Sequence, residues 1–379
     1  MRRRLLAAIA TLGALVAFGA APGAAGAVPY FKHVFIVVLE NENASSTFGK
    51  HSDAPYLAHK LKRRGAFVPN YYGIGHFSLT NYIAMVSGQS PNIQTQADCQ
   101  VYNDITPGTP MSDGQYFGTG CVYPPGTQTV ANQLQDAGYR WKGYMEDMNK
   151  AAPKGKEFPC RHPDIGEHDP WQDAEPGDQY ATRHNPFVYF HSITDFRTCE
   201  RHDVDFSHLR KDLRYKRTTP NYAFITPNLC HDGHDAPCVT GAPGGMKSAN
   251  KWLRARMPRI LRSPAFKDRG LLIVTFDEAE GEGDEADSTA CCNEQPGPSL
   301  IPPFDTPGGL HPGPGGGRTG TVMVSPCIKR GTVTKHAYNH YSLLRSIEKN
   351  FHLPYLGYAG QAGLRPFGAD ILNRPHCGR

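Results

Sequence analysis

Polar side chains that suit metal binding follow directly after two apolar runs of this chain. Residues 33–39 are apolar and rich in β-branched side chains, and Glu40 and Asn41 come next. Asp277 and Glu278 follow a second run of the same kind. Neighbouring carboxylates repel each other unless a cation neutralises them, and carboxylate and amide oxygens are the ligands that hard divalent cations prefer. The pattern predicts a metal site at these four residues.

A serine stands at the predicted start of a helix. The extended segment 68–75 leads through His76 to Ser78, and the residues that follow have a helical pattern. A helix N-terminus attracts anions because its first N–H groups are unpaired and its dipole is positive there. Ser78 could be an ordinary helix cap, but a cap requires neither His76 nor Asn81. A hydroxyl beside a metal is also a candidate nucleophile, since the cation lowers its pKa.

A third apolar run, 222–225, leads into a polar stretch that carries histidines and acids. This stretch contains His231, Asp232, His234 and Asp235, which can act as metal ligands or as acid and base groups. The chain has 17 histidines, so a loop of structurally satisfied side chains is an equally open interpretation. No G-x-S-x-G elbow is present, which disfavours a serine hydrolase with a Ser-His-Asp triad. No glycine-rich phosphate loop with a following lysine is present either, which disfavours a P-loop nucleotide-binding protein.

The elements that must position these groups alternate between strand and helix. The predicted strands cover residues 33–39, 139–145, 222–225, 271–276 and 319–324, with a short one at 187–190. The predicted helices cover residues 54–64, 82–86, 127–137, 206–215, 248–261 and 338–351. This alternation predicts an α/β fold with a mainly parallel central sheet and helices on both faces. Ligand sites of such sheets lie outside the carboxyl ends of the strands, where the polar residues stand.

The N-terminal residues have the pattern of an export signal. Three arginines follow Met1, an apolar stretch comes next, and Ala25-Gly26-Ala27 resembles a cleavage site. We expect a signal peptide at 1–27 and one domain at 28–379, secreted or periplasmic. Removal of the three arginines lowers the formal net charge from +5 to +2. That near-neutral charge and the lack of a dense basic face give nucleic-acid binding no support.

The ten cysteines predict disulfides, because their number is even and the chain is expected to be exported. Partners close in sequence are plausible: Cys99 with Cys121, Cys160 with Cys199, and Cys230 with Cys238. No C-x-x-C pair is present, which disfavours a zinc ribbon. Two long polar connections, 90–127 and 150–186, are expected to be functional loops that bear these cysteines.

Taken in order, five segments resemble the phosphoesterase family that contains acid phosphatases and non-haemolytic-type phospholipases C, within the alkaline-phosphatase-like superfamily. The matching segments are His33 to Asn41, Ser78-Leu79-Thr80-Asn81-Tyr82, Thr226 to Asp235, Phe276-Asp277-Glu278, and Tyr338 to Glu348. The resemblance implies an alkaline-phosphatase-like fold over nearly the whole mature chain.

The resemblance also implies a role for each residue. Ser78 is similar to the nucleophile, which touches the metal and forms a phosphoseryl intermediate. The metal ligands it implies are Glu40, Asn41, Ser78, Asp277 and Glu278. Asn81 and His76 are similar to substrate-binding groups, and His231 and His234 to phosphate-binding or leaving-group histidines. His340 is expected to contact the metal ligands at most, and not the metal itself.

Two positions depart from the family pattern. Thr80 stands where the family commonly has proline, a change that a helix start tolerates because proline there only presets φ. Glu278 stands where some members have a second aspartate. One or two divalent ions are therefore expected, with calcium, zinc and magnesium all open.

The function expected from these features is an exported, metal-dependent phosphoric-ester hydrolase of the acid-phosphatase type. A phospholipase C is the alternative, with at most peripheral membrane contact. A metal- or phosphate-binding protein without turnover is a further alternative. A sulfatase fits less well, since the residues around Ser78 lack the proline and arginine of the sulfatase motif. The sequence favours no particular oligomeric state.

Overall fold

The computed structural model describes residues 29–310, 313–374 and 377. The predicted signal peptide, 1–27, lies outside the described residues. None of the helices within these ranges is long and apolar enough to span a lipid bilayer.

Most of the strands belong to one large sheet. The strands are β1 (His33–Leu39), β2 (Ala66–Val68), β3 (Tyr71–Tyr72), β4 (Thr106–Pro110), β5 (Tyr116–Thr119), β6 (Trp141–Met145), β7 (Asp203–Asp205), β8 (Tyr222–Thr226), β9 (Gly270–Phe276), β10 (Thr321–Val324), β11 (Thr332–Val333) and β12 (Tyr338–Asn339). The large sheet has the order β11-β2-β10-β9-β1-β8-β6-β7. Its central strands β9, β1, β8, β6 and β7 are parallel, and β10 is antiparallel to both of its neighbours. The predicted mainly parallel α/β sheet is confirmed.

Helices cover both faces of this sheet. The α-helices are α1 (Ala44–Phe48), α2 (Ser78–Ser87), α3 (Val130–Asp136), α4 (His191–Thr194), α5 (Thr198–His202), α6 (Leu209–Asp212), α7 (Gly245–Arg262), α8 (Pro264–Lys267) and α9 (His340–Phe351). Strand β1 shows why the sheet needs a layer of helices on each face. Every one of its side chains is buried, and alternate residues enter different cores: Val34 packs with α2 and α9 on one face, whereas Phe35 packs with α7 on the other.

Three local predictions differ from the structure. Residues 187–190 are not a strand; Pro186–Tyr189 form a 3-10 turn, which a proline at the first position favours by presetting φ. The loop 90–127 contains the hairpin of β4 and β5. The predicted helix at 54–64 is a π-helical segment, Tyr56–Leu61, followed by a 3-10 turn.

The three cysteine pairs named from the sequence all form disulfides. They are Cys99–Cys121, Cys160–Cys199 and Cys230–Cys238. Cys291–Cys292 and Cys327–Cys377 are also bonded. The first pair closes the connection 90–127 on itself, and the second ties the connection 150–186 to α5.

Candidate active site

The register of the two central strands places two predicted metal ligands side by side. Leu39 at the end of β1 pairs with Phe276 at the end of β9, so Glu40 and Asp277 leave the sheet at the same edge. The backbone N–H of Asn41 donates a hydrogen bond of 3.1 Å to Oδ1 of Asp277. Glu40 and Asp277 are buried, and the protein therefore holds two carboxylates together away from water.

Ser78 is the first residue of α2 and reaches the same edge. Its Oγ donates a hydrogen bond of 2.7 Å to Oε2 of Glu40. The hydroxyl of Tyr82, one turn further along α2, donates 2.5 Å to Oε1 of the same carboxylate. The residue before the serine, Phe77, has φ +74°. A bulky side chain in the left-handed region is strained, and such strain persists where the surrounding structure requires it, often at functional sites.

These side chains open into one cavity of about 340 Å³. Its walls carry acidic, basic and neutral groups. They are Glu40, Asn41, His76, Phe77, Ser78, Asp98, Arg183, His234, Glu278, Glu280, Gly281 and Glu282. Six of the residues named from the sequence are therefore brought together here, and Asp277 lies directly behind them.

The donor set at Glu40 has the chemistry of a site for a divalent cation. Burial raises the pKa of Glu40 well above its usual value, and repulsion from Asp277 raises it further. Oδ1 of Asn41 and Oδ2 of Asp277 are buried, and neither has a hydrogen-bond partner among the described residues. Unsatisfied buried oxygens beside crowded carboxylates are stabilised by a bound cation. Glu40, Asn41 and Asp277 fit that role.

The carboxylates do not all converge on one point. Within the described ranges, only Cys160, Cys199 and Asp203 bring three candidate ligand atoms within 4.8 Å of one another, and these cysteines are joined in a disulfide. Glu278 turns instead to His76, whose Nδ1 contacts Oε2 of that glutamate. Burial raises the pKa of Glu278 and lowers that of His76, so both groups of this pair resist ionisation.

Two side chains of the cavity wall, His234 and Arg183, supply positive charge. A hydrogen bond to Asp235, of 2.9 Å from Nδ1, raises the pKa of His234 to about 9 despite partial burial. His234 is therefore an imidazolium at neutral pH. The guanidinium of Arg183 lies nearby, with its Nε 3.7 Å from Oδ2 of Asp98. Asp98 also accepts a hydrogen bond of 2.9 Å from the backbone N–H of Leu79 in the first turn of α2.

Besides Asp277, two of the residues predicted for the site do not line this cavity. His231 is bonded through Nδ1 to Oε2 of Glu146, at 2.9 Å, and is about one third exposed. The amide of Asn81 is buried and makes its hydrogen bonds to the backbone just before Ser78. Its Oδ1 accepts from Ile74 and Gly75, and its Nδ2 donates to the carbonyls of Gly75 and Phe77. These contacts make Asn81 a support of the serine loop.

The sequence model of the Phosphoesterase family matches residues 50–354 of this chain. The chain belongs to this family. The matched range contains Ser78, Asp277 and Glu278, and Glu40 and Asn41 lie just before it.

The curated relatives of this chain are phosphatases. A phosphate-repressible acid phosphatase of Penicillium chrysogenum is 26% identical over 298 residues, 79% of this chain and 55% of its own length. A probable acid phosphatase of Kluyveromyces lactis is 26% identical over 344 residues, 90% of this chain and 64% of its own. The chain thus spans less than two thirds of either fungal protein. A phosphatidylinositol-3-phosphatase of Mycobacterium tuberculosis is 25% identical over 368 residues, 95% of this chain and 93% of its own.

Solved structures similar to this chain share little sequence with it. A protein in the alkaline phosphatase superfamily from Vibrio parahaemolyticus covers 92% of this chain and 73% of its own, with a TM-score of 0.48 and 13% identity. The structure titled Ps i-CgsB covers 91% and 78%, with a TM-score of 0.50 and 11% identity. At such identities the second likeness concerns the fold alone.

Several residues of the candidate site were not predicted from the sequence. Arg183, His184 and Asp98 stand in the long polar connections, where no strand end or helix start marks them. His340, in contrast, is in a segment singled out from the sequence. Its Nε2–H donates to the backbone carbonyl of Asp277, which leaves Nδ1 to accept from the hydroxyl of Tyr71 at 3.1 Å. Burial lowers the pKa of His340 to about 4, so a neutral imidazole supports the strand end from behind.

Proposed function

We propose that this protein is an exported, metal-dependent phosphomonoesterase of the acid-phosphatase type, with Ser78 as nucleophile. The observation that carries the proposal is the hydrogen bond from Ser78 to Glu40 at the floor of a cavity that also holds His76, His234 and Arg183. Membership of the Phosphoesterase family and the three phosphatase relatives support the same reaction class.

In the first step, Ser78 Oγ attacks phosphorus and its proton passes to Oε2 of Glu40, 2.7 Å away. The P–O bond to the leaving group breaks as the Ser–O–P bond forms, giving a phosphoserine. Water then attacks this phosphoserine and releases inorganic phosphate, while the serine recovers a proton. Placing the nucleophile at the start of α2 favours the reaction, because the helix N-terminus stabilises the negative charge on the phosphoryl oxygens.

The charged side chains of the cavity indicate which residues bind the phosphoryl oxygens and which act on the leaving group. The imidazolium of His234 and the guanidinium of Arg183 bind the phosphoryl oxygens, whose charge must be neutralised throughout phosphoryl transfer. His76, held by Glu278 and by Ser288 at 3.0 Å from its Nε2, is a neutral imidazole that binds the substrate by a hydrogen bond. The proton for the leaving oxygen comes from the imidazolium of His234. Asn81 keeps the serine loop in place. The direct contact with phosphate predicted for it would require its Nδ2 to give up a hydrogen bond to Gly75 or Phe77. His231 lies outside the cavity and has no assigned step.

Glu40, Asn41, Ser78 and Asp277 would hold a divalent cation, with Glu278 as the remaining predicted ligand. When bound, such an ion lowers the pKa of a serine hydroxyl and offsets the charge of the buried carboxylates. Export is supported by the five disulfides, since disulfides form and persist in oxidising compartments.

A phosphorylated lipid head group is the second candidate substrate. The mycobacterial relative named a phosphatidylinositol-3-phosphatase matches over nearly the whole length of both chains, and Phe77, which is 38% exposed, gives the cavity an apolar wall. A phospholipase C remains the alternative reaction on such a lipid: it would break the bond on the glycerol side of the phosphorus and release a phosphorylated head group.

The decisive experiment compares three substrates with purified protein, with and without a chelator. They are a chromogenic phosphomonoester, a chromogenic phosphocholine ester, and vesicles containing phosphatidylinositol 3-phosphate. Turnover of the soluble monoester that the chelator abolishes supports the proposal. Preference for the phosphocholine ester supports a phospholipase C, and release of phosphate from vesicles alone supports the lipid substrate. No turnover of any of the three, with metal bound, would overturn the proposal in favour of a binding protein.

A further inference from the structure

His184 is a buried imidazole whose ring nitrogens are not satisfied by the protein. It ends the 3-10 turn Thr182–His184 and has a relative exposure of 2%. Its ring is stacked on that of Tyr82, with centroids 5.3 Å apart and planes 10° apart. Neither Nδ1 nor Nε2 has a hydrogen-bond partner among the described residues. An unsatisfied buried polar atom costs about 1–3 kcal/mol, so a histidine with two such atoms calls for a further partner.

Each nitrogen faces a carboxylate at a distance slightly too long for a hydrogen bond. Nε2 lies 3.5 Å from Oε2 of Glu40, and Nδ1 lies 3.6 Å from Oδ2 of Asp232. Oδ2 of Asp232 is also buried and has no hydrogen-bond partner among the described residues. Asp232 is itself firmly held, since its carbonyl accepts from the N–H of Glu40 at 3.0 Å and its Oδ1 accepts from the N–H of His234 at 3.1 Å.

The distance between His184 and Glu40 suits two ligands of one ion. Ligand atoms bonded to a cation at about 2.1 Å, at an angle near the tetrahedral value, lie about 3.4 Å apart. A histidine that binds a metal through one nitrogen commonly donates its other N–H to a carboxylate, which orients the ring. Asp232 stands where that carboxylate is required.

We propose that Nε2 of His184 is a ligand of the divalent cation at Glu40, and that Asp232 is the carboxylate that orients it. The proposal rests on the metal site of the proposed function. It changes the character of that site, because Glu40, Asn41, Ser78 and Asp277 offer only oxygen. Ligand atoms of His184, Glu40 and Asp277 do not all lie within 4.8 Å of one another, so an ion bound to all three would draw these side chains together. An imidazole favours zinc and similar transition metals, whereas calcium and magnesium prefer oxygen alone. The expected resident ion is therefore of the zinc class.

The test is a calorimetric titration of chelator-stripped protein with Zn²⁺, Ca²⁺ or Mg²⁺ alone. His184→Phe keeps a ring stacked on Tyr82 but removes both nitrogens. The matched control is His202→Phe, since His202 is likewise stacked on an aromatic ring, that of Trp141 at 5.0 Å. Glu40→Gln identifies which zinc event belongs to this site. Asp232→Asn keeps the shape of the side chain that orients His184 and removes its charge.

The wild-type protein should bind Zn²⁺ more tightly than Ca²⁺ or Mg²⁺, through an event that Glu40→Gln weakens. His184→Phe should lower the zinc affinity at least about 100-fold and Asp232→Asn about 10- to 100-fold, while the control leaves it unchanged. The visible spectrum of the Co²⁺-loaded protein should change in His184→Phe and not in His202→Phe.

A preference for Ca²⁺ or Mg²⁺, or zinc affinity in His184→Phe equal to that of the wild type, would overturn the proposal. If His184→Phe does not fold, unchanged zinc affinity in Asp232→Asn overturns it and a loss supports it. These titrations measure no turnover. A protein that hydrolyses no phosphoester but loses zinc affinity in His184→Phe would refute the proposed function and retain this inference.

Discussion

The hydroxyl of Ser78 and the carboxylate of Glu40 meet at 2.7 Å although 38 residues separate them in sequence. One stands at the start of a buried helix and the other at the end of a central parallel strand. Oε1 of the same carboxylate accepts from Tyr82, so both oxygens are engaged by the first two turns of α2. This contact joins the candidate nucleophile to the candidate metal site, so loss of the serine hydroxyl should affect the chemical step.

Ser78→Ala should lower kcat for a chromogenic phosphomonoester by at least about 10³-fold, as expected when a nucleophile is removed. Binding of inorganic phosphate should change little, because the cationic wall of the cavity is intact. Steady-state kinetics and product inhibition measure the two quantities. Ser87→Ala at the other end of the same helix is the control, since the Ser87 hydroxyl donates to the carbonyl of Ile83 and accepts from the N–H of Gln89, both outside the cavity. Parental activity in Ser78→Ala would exclude the serine mechanism.

His234→Gln should weaken inhibition by inorganic phosphate about tenfold, the order expected for loss of a partly exposed charged hydrogen bond. Because the pKa of His234 is raised to about 9, its positive charge is present at neutral pH and is lost as the pH rises through that value. Phosphate affinity of the wild type should therefore fall near pH 9, and His234→Gln should lack this fall.

The control for that experiment is His231→Gln. His231 is bonded to Glu146 outside the cavity, so its replacement should leave phosphate inhibition unchanged at every pH. If both substitutions weaken phosphate inhibition to the same extent, the predicted role of His231 is correct and the substrate site extends beyond the described cavity.

Removal of divalent cations should abolish turnover and lower the unfolding temperature. Burial and mutual repulsion make the carboxylates near Glu40 costly to ionise, and a cation that binds only the folded state stabilises it by mass action, by about 2.7 kcal/mol at 100 times its dissociation constant. Thermal denaturation before and after dialysis against a chelator, with activity assayed in parallel, measures both effects. Full activity and unchanged stability in metal-free protein would contradict the metal site.

Asp203→Asn should make the protein more stable at neutral and alkaline pH. Asp203 is buried, and burial raises its pKa to about 7 although Asn185 donates a hydrogen bond of 2.7 Å to it. A carboxyl group whose pKa is raised by folding contributes stability below its unfolded value near 4, and that contribution is lost as the pH rises through about 7. The loss is at most about 4 kcal/mol, at 1.36 kcal/mol per pKa unit.

Urea denaturation at pH 4 and pH 8 tests this expectation. Asp203→Asn should match the wild type most closely at pH 4 and exceed it at pH 8, since an asparagine cannot ionise. Asp136→Asn, at an exposed position, should follow the wild type at both values. If the difference in unfolding free energy between Asp203→Asn and the wild type does not grow from pH 4 to pH 8, the pKa of Asp203 is not raised by folding.

The strand ends of the site were predictable because burial imposes a simple pattern on them. β1 and β9 lie in the middle of the sheet and are covered on both faces, so nearly every position is apolar until the strand leaves the core, with His33 and Thr275 as the exceptions. Glu40 and Asp277 are conspicuous for that reason. Three disulfides were predictable because their partners are close in sequence.

The other half of the cavity was not predictable by such reasoning. Arg183, His184 and Asp98 stand in connections whose course depends on disulfides and turns, and no periodicity marks the side chain that turns inward. The structure also shows where Asn81 and His231 direct their hydrogen bonds, which their positions in the sequence do not reveal.

By itself, the sequence determined the α/β class, the strands that carry Glu40 and Asp277, and the serine at a helix start, because each depends on local patterns of burial and capping. Only the tertiary structure decided that Glu278 faces His76, that Asn81 supports the loop before Ser78, and that His184 lies between Glu40 and Asp232. Those arrangements depend on distances between residues far apart in the chain, and such distances are set by the packing of helices and loops on the sheet.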